Sequence, residues 1–179
     1  KLHDEEHTDN LEETTQKVKE LVIDSVQKQL LSDVPLSTML SGGLDSSIIT
    51  AITKQYVQPL TTYSITYEDQ EKYFKAYDYQ TSMDDDYIRE MVERYQSDHH
   101  KITLKQLDLL NSLEEALIAR DMPGMADVDS SFLLFSKEIA KNHKVSLSGE
   151  CADEIFGGYP WFYKEELYNQ PYFPWMRDL

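Results

Sequence analysis

Val34-Pro35-Leu36-Ser37-Thr38-Met39-Leu40-Ser41-Gly42-Gly43-Leu44-Asp45-Ser46-Ser47 decides how this chain is read. Residues 34–40 form a short, apolar, partly β-branched run, which marks a buried strand. Ser41-Gly42-Gly43 is a sharp turn. Residues 45–56 have helical spacing, with Ile48, Ile49 and Ile52 expected to face inward. Strand, glycine turn and helix in that order bring the N–H groups of the turn and of the helix's first turn around one point, with the helix dipole behind them. Two adjacent glycines let the backbone approach an anion closely, and Ser41, Ser46 and Ser47 add hydroxyl donors. Asp45 would repel a bare phosphate, so its expected partner is Mg²⁺ carried by phosphates. The stretch is not a Walker P-loop, which ends in Gly-Lys-Ser/Thr, nor a G-x-G-x-x-G turn. The plainer alternative is a glycine turn in which Asp45 and Ser46 cap a helix.

Outward from this stretch, helical and strand patterns alternate. Residues 10–31 read as an amphipathic helix, with Leu11, Val18, Leu21, Val22 and Val26 at helical spacing. Residues 61–67 are rich in Thr, Tyr and Ile and read as a strand. Residues 68–82 are irregular and tyrosine-rich, with Tyr67, Tyr73, Tyr77 and Tyr79 expected to anchor the excursion. Asp84-Asp85-Asp86 reads as the N-cap and first turn of a helix. Residues 100–104 are a strand candidate that His99 and His100 introduce; as strand neighbours they point to opposite faces and do not grip one ion. Residues 105–120 read as one helix, 121–129 as a loop, 130–141 as a helix and 144–147 as a strand. The fold class is therefore α/β: an open twisted parallel sheet with helices on both faces.

A second constellation follows the last strand: Leu147-Ser148-Gly149-Glu150-Cys151-Ala152-Asp153-Glu154-Ile155-Phe156-Gly157-Gly158-Tyr159. It repeats the tripeptide Leu40-Ser41-Gly42 at a second strand end. Glu150, Asp153 and Glu154 crowd the carboxyl end of that strand, where ligands bind in open α/β sheets. Acidic decoration of a helix's first turn is the alternative reading. Beside a phosphate loop the metal reading gains, since Mg²⁺ takes one or two protein carboxylates plus phosphate oxygens.

The heptapeptide Ser41 to Ser47 resembles the PP-loop of the N-type ATP pyrophosphatases, the superfamily of the asparagine, β-lactam, GMP, NAD and argininosuccinate synthetases. The second segment resembles the Ser-Gly-Glu-Gly-Ala-Asp-Glu…Phe-Gly-Gly-Tyr pattern of the asparagine and β-lactam synthetase group. The resemblance runs from about Val18 to Tyr163. It implies the adenine-nucleotide α-hydrolase-like fold and a single, partial ATP-pyrophosphatase domain over residues 1–179. It also implies that Leu40, Ser41, Gly42, Gly43, Leu44, Asp45, Ser46 and Ser47 bind ATP and its pyrophosphate, together with Ile65, Ser148 and Gly149. Met39, Leu40, Ile65 and Gly149 would line the adenosine pocket. Asp45 and Asp153 would ligate Mg²⁺. Glu150 would be the catalytic carboxylate, the base for incoming ammonia. The implied reaction is ATP-dependent amidation of aspartate to asparagine through β-aspartyl-AMP. Its partners are ATP, aspartate and ammonia, the last from glutamine through a glutaminase domain that these residues do not contain. A homodimer is the expected assembly. A lysine that stabilises the transition state in the group also lies past this segment, so residues 1–179 alone are expected to bind nucleotide without turnover.

The sequence departs from that pattern twice. Cys151 stands where the group has glycine, which suits the site only if the backbone there avoids φ > 0, and a buried thiol is the expectation. The Thr-Thr-Val-Arg-like stretch near the aspartate pocket is replaced by Gly124-Met125-Ala126-Asp127-Val128-Asp129-Ser130, without arginine. An arginine fork suits a carboxylate, so a ligase acting on another carboxylate, as β-lactam synthetases do, stays open. So does a nucleotide-binding module without catalysis. A net charge of −16 argues against nucleic acid as partner, including the tRNA-modifying PP-loop enzymes. No run nears the ~20 apolar residues of a membrane helix. With a polar, acidic opening and one cysteine, a cytoplasmic protein is expected.

Overall fold

A computed structural model describes residues 8–75, 84–168 and 171. In chain order the elements are α1 (Leu11–Gln29), β1 (Leu36–Met39), α2 (Leu44–Lys54), β2 (Thr61–Tyr67), the single-turn α3 (Gln70–Tyr73) and α4 (Asp85–Tyr95). They continue with β3 (Asp98–Leu104), α5 (Gln106–Asn111), α6 (Leu113–Arg120), α7 (Ala126–Ala140), β4 (Val145–Leu147) and α8 (Ala152–Phe156). A 3₁₀ turn (Pro160–Phe162) and α9 (Glu165–Tyr168) follow. The four strands are all parallel in the order β3-β2-β1-β4. Register sets Thr38 of β1 opposite Thr62 on one side and Leu147 on the other.

This order puts the helices on two faces. From β1 the chain steps to β2 and then β3, through α2 and α4, which pack together, α2 also onto β1. It then returns across the sheet to β4 through α5, α6 and α7, which pack on one another, with α7 on β3. Right-handed crossovers in opposite directions lie on opposite faces. The α7 face holds the apolar core: Tyr63, Phe135 and Ile139 are buried there, with Met39, Ile65 and Ile102 against them.

The other face is hydroxyl-rich, and this corrects the expected orientation of α2 in part: Ile52 is buried as expected and Ile49 is half-buried, but Ile48 is not. Ser46, Thr50 and Thr53, spaced i, i+4 and i+7, are buried, while Ile48 is 38% exposed. The reason is the partner strand: Thr38 Oγ1 meets Thr50 Oγ1 at 3.0 Å. On the same face, β2 and β3 carry a buried polar bridge. The His99 ring lies between Thr62 Oγ1, 2.8 Å from Nδ1, and Ser64 Oγ, 3.0 Å from Nε2.

Other expectations are corrected as well. Residues 105–120 form two helices, broken at the buried Ser112, whose hydroxyl donates back to the Leu109 carbonyl at 2.9 Å. The 121–129 loop is shorter than expected, because α7 starts at Ala126. Along α1, Val26 is buried but Leu11, Val18 and Leu21 are exposed. Of the tyrosines, Tyr67 is an anchor, donating to Ser131 Oγ at 3.0 Å, whereas Tyr73 is exposed; Tyr77 and Tyr79 lie outside the described residues. Among the described residues no helix is long and apolar enough to cross a membrane.

Candidate functional site

The two strand-end motifs meet. β1 and β4 are neighbours, and β1 is where the connections change direction, the crevice that binds ligands in open α/β sheets. After β1 the chain passes through Leu40, which is buried and donates its N–H to the Tyr63 carbonyl at 2.7 Å. The loop then winds around one hydroxyl. Ser46 Oγ donates to the Gly43 carbonyl at 3.2 Å, accepts from the Ser41 N–H at 3.2 Å and lies 3.0 Å from Ser41 Oγ. The Ser46 hydroxyl is therefore turned inward as the scaffold of the loop, and Ser41 and Ser47 keep more exposure.

Gly42 is left-handed at φ 83°, and a Cβ there would lie 2.9 Å from the Asp84 carbonyl oxygen and 3.1 Å from Tyr87 Cβ. The loop is thus pressed onto the start of α4, and only glycine fits. Gly43 is different: a Cβ would meet nothing nearer than Ser41 Oγ at 3.5 Å. Packing within the chain does not require glycine there. Gly43 is also the N-cap of α2 and supplies no side-chain cap, which leaves the helix's positive end open to a ligand.

Gly149, after β4, fits directly against this helix start. A Cβ on it would lie 3.0 Å from both Asp45 Cβ and the Ser46 nitrogen. The packing of Gly149 is therefore against α2 and not in the wall of the adjoining cleft. Ser148 forms a turn in which its Oγ accepts from the Glu150 N–H at 3.2 Å. Glu150 is exposed and enters no ion pair among the described residues. Asp153, in the first turn of α8, is close enough to Asp45 to act on it: the Asp45 carboxyl is held above its ordinary 3.8, first by burial and then by the Asp153 charge. Two carboxylates that repel each other beside an open helix N-terminus suit a shared divalent cation with phosphate oxygens. Among the described residues no group of three or more His, Cys, Asp or Glu converges on a metal position, so a cation here would need ligands from the nucleotide.

The Cys151 expectation is corrected. The residue is exposed and sits at φ 71°, the left-handed conformation that glycine, but not cysteine, adopts without strain. Beyond it, Tyr159 stacks on Trp161 with centroids 4.3 Å apart and donates to Glu154 Oε1 at 3.4 Å. Burial, then the charges of Glu154 and Asp153, raise its phenol pKa. This aromatic bracket behind the acids was present in the sequence as Gly158-Tyr159-Pro160-Trp161, but the reading gave it no role.

Alongside the loop lies a small cleft, about 120 Å³ in volume and open to solvent. Met39, Leu40 and Ile65, three of the four residues expected around the adenosine, line it, and so does Ser41 of the loop. Gln70, Asp84 and Ile88 line it too, and none of these was singled out for it. Asp84 is the N-cap of α4 as expected, with Asp85 and Asp86 in the first turn, but its side chain makes no cap bond. Its carboxyl is raised above 3.8 by burial and by Asp85. At the other side of α7, Arg120 Nη1 bonds Asp129 Oδ1 at 2.6 Å.

Residues 17–179 match the family model described as asparagine synthase. The chain belongs to the asparagine synthase family. This asparagine synthase-family chain is 52% identical, over 182 aligned residues, to asparagine synthetase [glutamine-hydrolyzing] 3 of Bacillus subtilis (strain 168). That match covers 99% of this chain and 29% of the relative. It is 33% identical to asparagine synthetase B of Escherichia coli (strain K12), covering 82% of this chain and 27% of that protein. The chain thus spans under a third of the curated relatives it matches. Among solved structures, the glutamine-dependent NAD⁺ synthetase of Acinetobacter baumannii in complex with ADP aligns at a TM-score of 0.50 and 14% identity. It covers 88% of this chain and 29% of that one, a likeness of fold alone. The asparagine synthase-family chain has the adenine-nucleotide α-hydrolase-like fold, its parallel sheet flanked on both faces.

Proposed function

We propose that this chain is the ATP-using part of an asparagine synthetase, amidating aspartate to asparagine through β-aspartyl-AMP and releasing AMP and pyrophosphate. The observation that carries this reading is the meeting of Gly149 with Asp45 and Ser46, which sets both acidic loops at one open helix N-terminus. Ser41 to Ser47 would receive the departing pyrophosphate, its charge met by uncapped N–H groups of α2. Asp45 and Asp153 would hold Mg²⁺, which when bound supplies charge neutralisation on the phosphates. Met39, Leu40 and Ile65 offer the adenosine an apolar wall. Glu150, exposed and without an ion pair among the described residues, would take a proton from ammonia as the amide forms. Ammonia would come from glutamine through a glutaminase domain, and the protein would work in the cytoplasm, as a homodimer.

One observation favours a second reading of the acceptor. Residues 124–130 carry no arginine, and the neighbouring Arg120 is engaged by Asp129. A carboxylate other than aspartate is therefore the rival substrate. The test is to incubate the full-length protein with Mg-ATP, ammonium and aspartate and identify the nucleotide product. AMP formed only with aspartate supports the synthetase. AMP formed without need of aspartate moves the acceptor elsewhere, and ADP or no product overturns the mechanism.

A further inference from the structure

The cleft has apolar walls from Met39, Ile65 and Phe135, and the amide of Gln70 lines it beside them. Gln70 opens α3 directly after β2. Its Oε1 accepts from Thr66 Oγ1 at 2.8 Å and from the Tyr67 backbone N–H at 3.2 Å. The second contact settles the amide's orientation by chemistry. A backbone N–H can only donate, so the atom facing it must be the oxygen. Nε2 therefore points away from β2, and its two hydrogens have no hydrogen-bond partner among the described residues. A half-buried amide held rigid at one end, with free donors at the other, is built to meet an acceptor.

We propose that Gln70 reads the nucleobase: Nε2 donates to a ring nitrogen of the adenine seated in this cleft. The assignment rests on the ATP reading of the site given above. Adenine is flat, has apolar faces that suit such walls, and exposes ring nitrogens N1, N3 and N7 as acceptors at its edges. A donor locked by its own carbonyl selects such an edge without ordering cost at the moment of binding. Gln70 is thereby a specificity residue supplied by the side chain that follows β2, in addition to the apolar wall.

Gln70→Glu provides the test. It keeps the oxygen that Thr66 and Tyr67 need, and so keeps the loop, but replaces the donor with an acceptor. Calorimetric titration of the full-length protein with Mg-ATP and with the N1-, N3- and N7-deaza analogues of ATP is the measurement. The expectation is that wild type binds ATP and loses roughly tenfold in affinity for one of the three analogues, the worth of one hydrogen bond. Gln70→Glu is expected to bind ATP at least tenfold more weakly and to lose the discrimination against that analogue. If Gln70→Glu binds ATP as wild type does, or if no analogue is discriminated by wild type, Gln70 only pins the loop and the inference falls. Wild-type protein that binds no ATP at all overturns the reading of the site itself.

Discussion

Gly149 bears on Asp45 so closely that any side chain at position 149 would have to part the two loops of the site: a Cβ would stand 3.0 Å from Asp45 Cβ. The nearest obstacles include the backbone nitrogen of Ser46 and the Asp45 carbonyl carbon, at 3.0 and 3.1 Å, which cannot rotate away. Gly149→Ala should therefore displace the β4 loop from α2. Overpacking of this kind costs about 1–3 kcal/mol, and the expected result is a lower thermal midpoint. Because the displacement separates Asp153 from Asp45, Mg-ATP affinity should fall by more than tenfold, read by calorimetry. The same substitution at Gly43, where the space is open, should leave the thermal midpoint nearly unchanged.

Asp45 and Asp153 give a pH prediction with a definite sign. Burial and the Asp153 charge raise the Asp45 carboxyl above 3.8 in the folded protein. Folded protein then binds more protons than unfolded protein between 3.8 and the raised value. The contribution of Asp45 to stability is full below 3.8 and is lost as pH rises through the raised value. Without divalent cation, Asp45→Asn should remove that loss and raise the thermal midpoint at neutral pH. With Mg-ATP the order should reverse: wild type gains a ligand-dependent rise, and Asp45→Asn and Asp153→Asn gain little. A wild-type midpoint that does not respond to Mg-ATP would contradict the assignment.

The sheet and its ends were legible because local pattern and tertiary demand agree there. Residues 61–67 read as a strand and form β2 with those bounds. The glycine turn after residue 40 leads into α2 as expected. The orientation of α2 was legible only in part: the apolar periodicity finds the buried Ile52 but also points to Ile48, while the helix buries Thr50, against the hydroxyl of Thr38, and Thr53. A sheet face lined with hydroxyls reverses the usual rule, and only pairing reveals it. The approach of Gly149 to Asp45 joins residues far apart in sequence and could be read only through the resemblance of the two motifs. That Gln70 and Asp84 line a cleft was not legible, because nothing in their local spacing says that one lies beside them.

The polar bridge beneath α4 should make the domain acid-sensitive. His99 is held between Thr62 and Ser64, and its pKa is lowered from 6.5, first by burial, then by His100 and Lys101, against the opposing pull of Asp85 and Asp98. Neutral imidazole suits this place, since one nitrogen donates to a hydroxyl and the other accepts from the second. Between the lowered value and 6.5 the unfolded chain binds more protons, so stability falls as pH drops through that window. The urea midpoint should decrease from pH 7.5 to pH 5. His99→Gln, which can donate to one hydroxyl and accept from the other but does not titrate, should flatten that part of the decrease while lowering the midpoint at pH 7.5. An unchanged slope in the variant would assign the acid sensitivity to other groups.

Cys151 is a residue in a glycine's conformation. At φ 71° and ψ 6° it begins α8 in the left-handed region, where a Cβ crowds the backbone at a cost of about 1 kcal/mol. The side chain is exposed, so it returns little through packing. Cys151→Gly should remove the strain, offset in part by the greater freedom of glycine in the unfolded chain, for a net gain of roughly 0.5 kcal/mol. Cys151→Ala keeps the Cβ and should stay within about 0.5 kcal/mol of wild type, as exposed substitutions do. Cys151→Val, β-branched in the same conformation, should be the least stable of the three. The ordering Gly, Ala, Val in urea midpoints separates backbone strain from thiol chemistry: strain predicts the full order, whereas a stabilising role for the thiol predicts that glycine and alanine fall below wild type together.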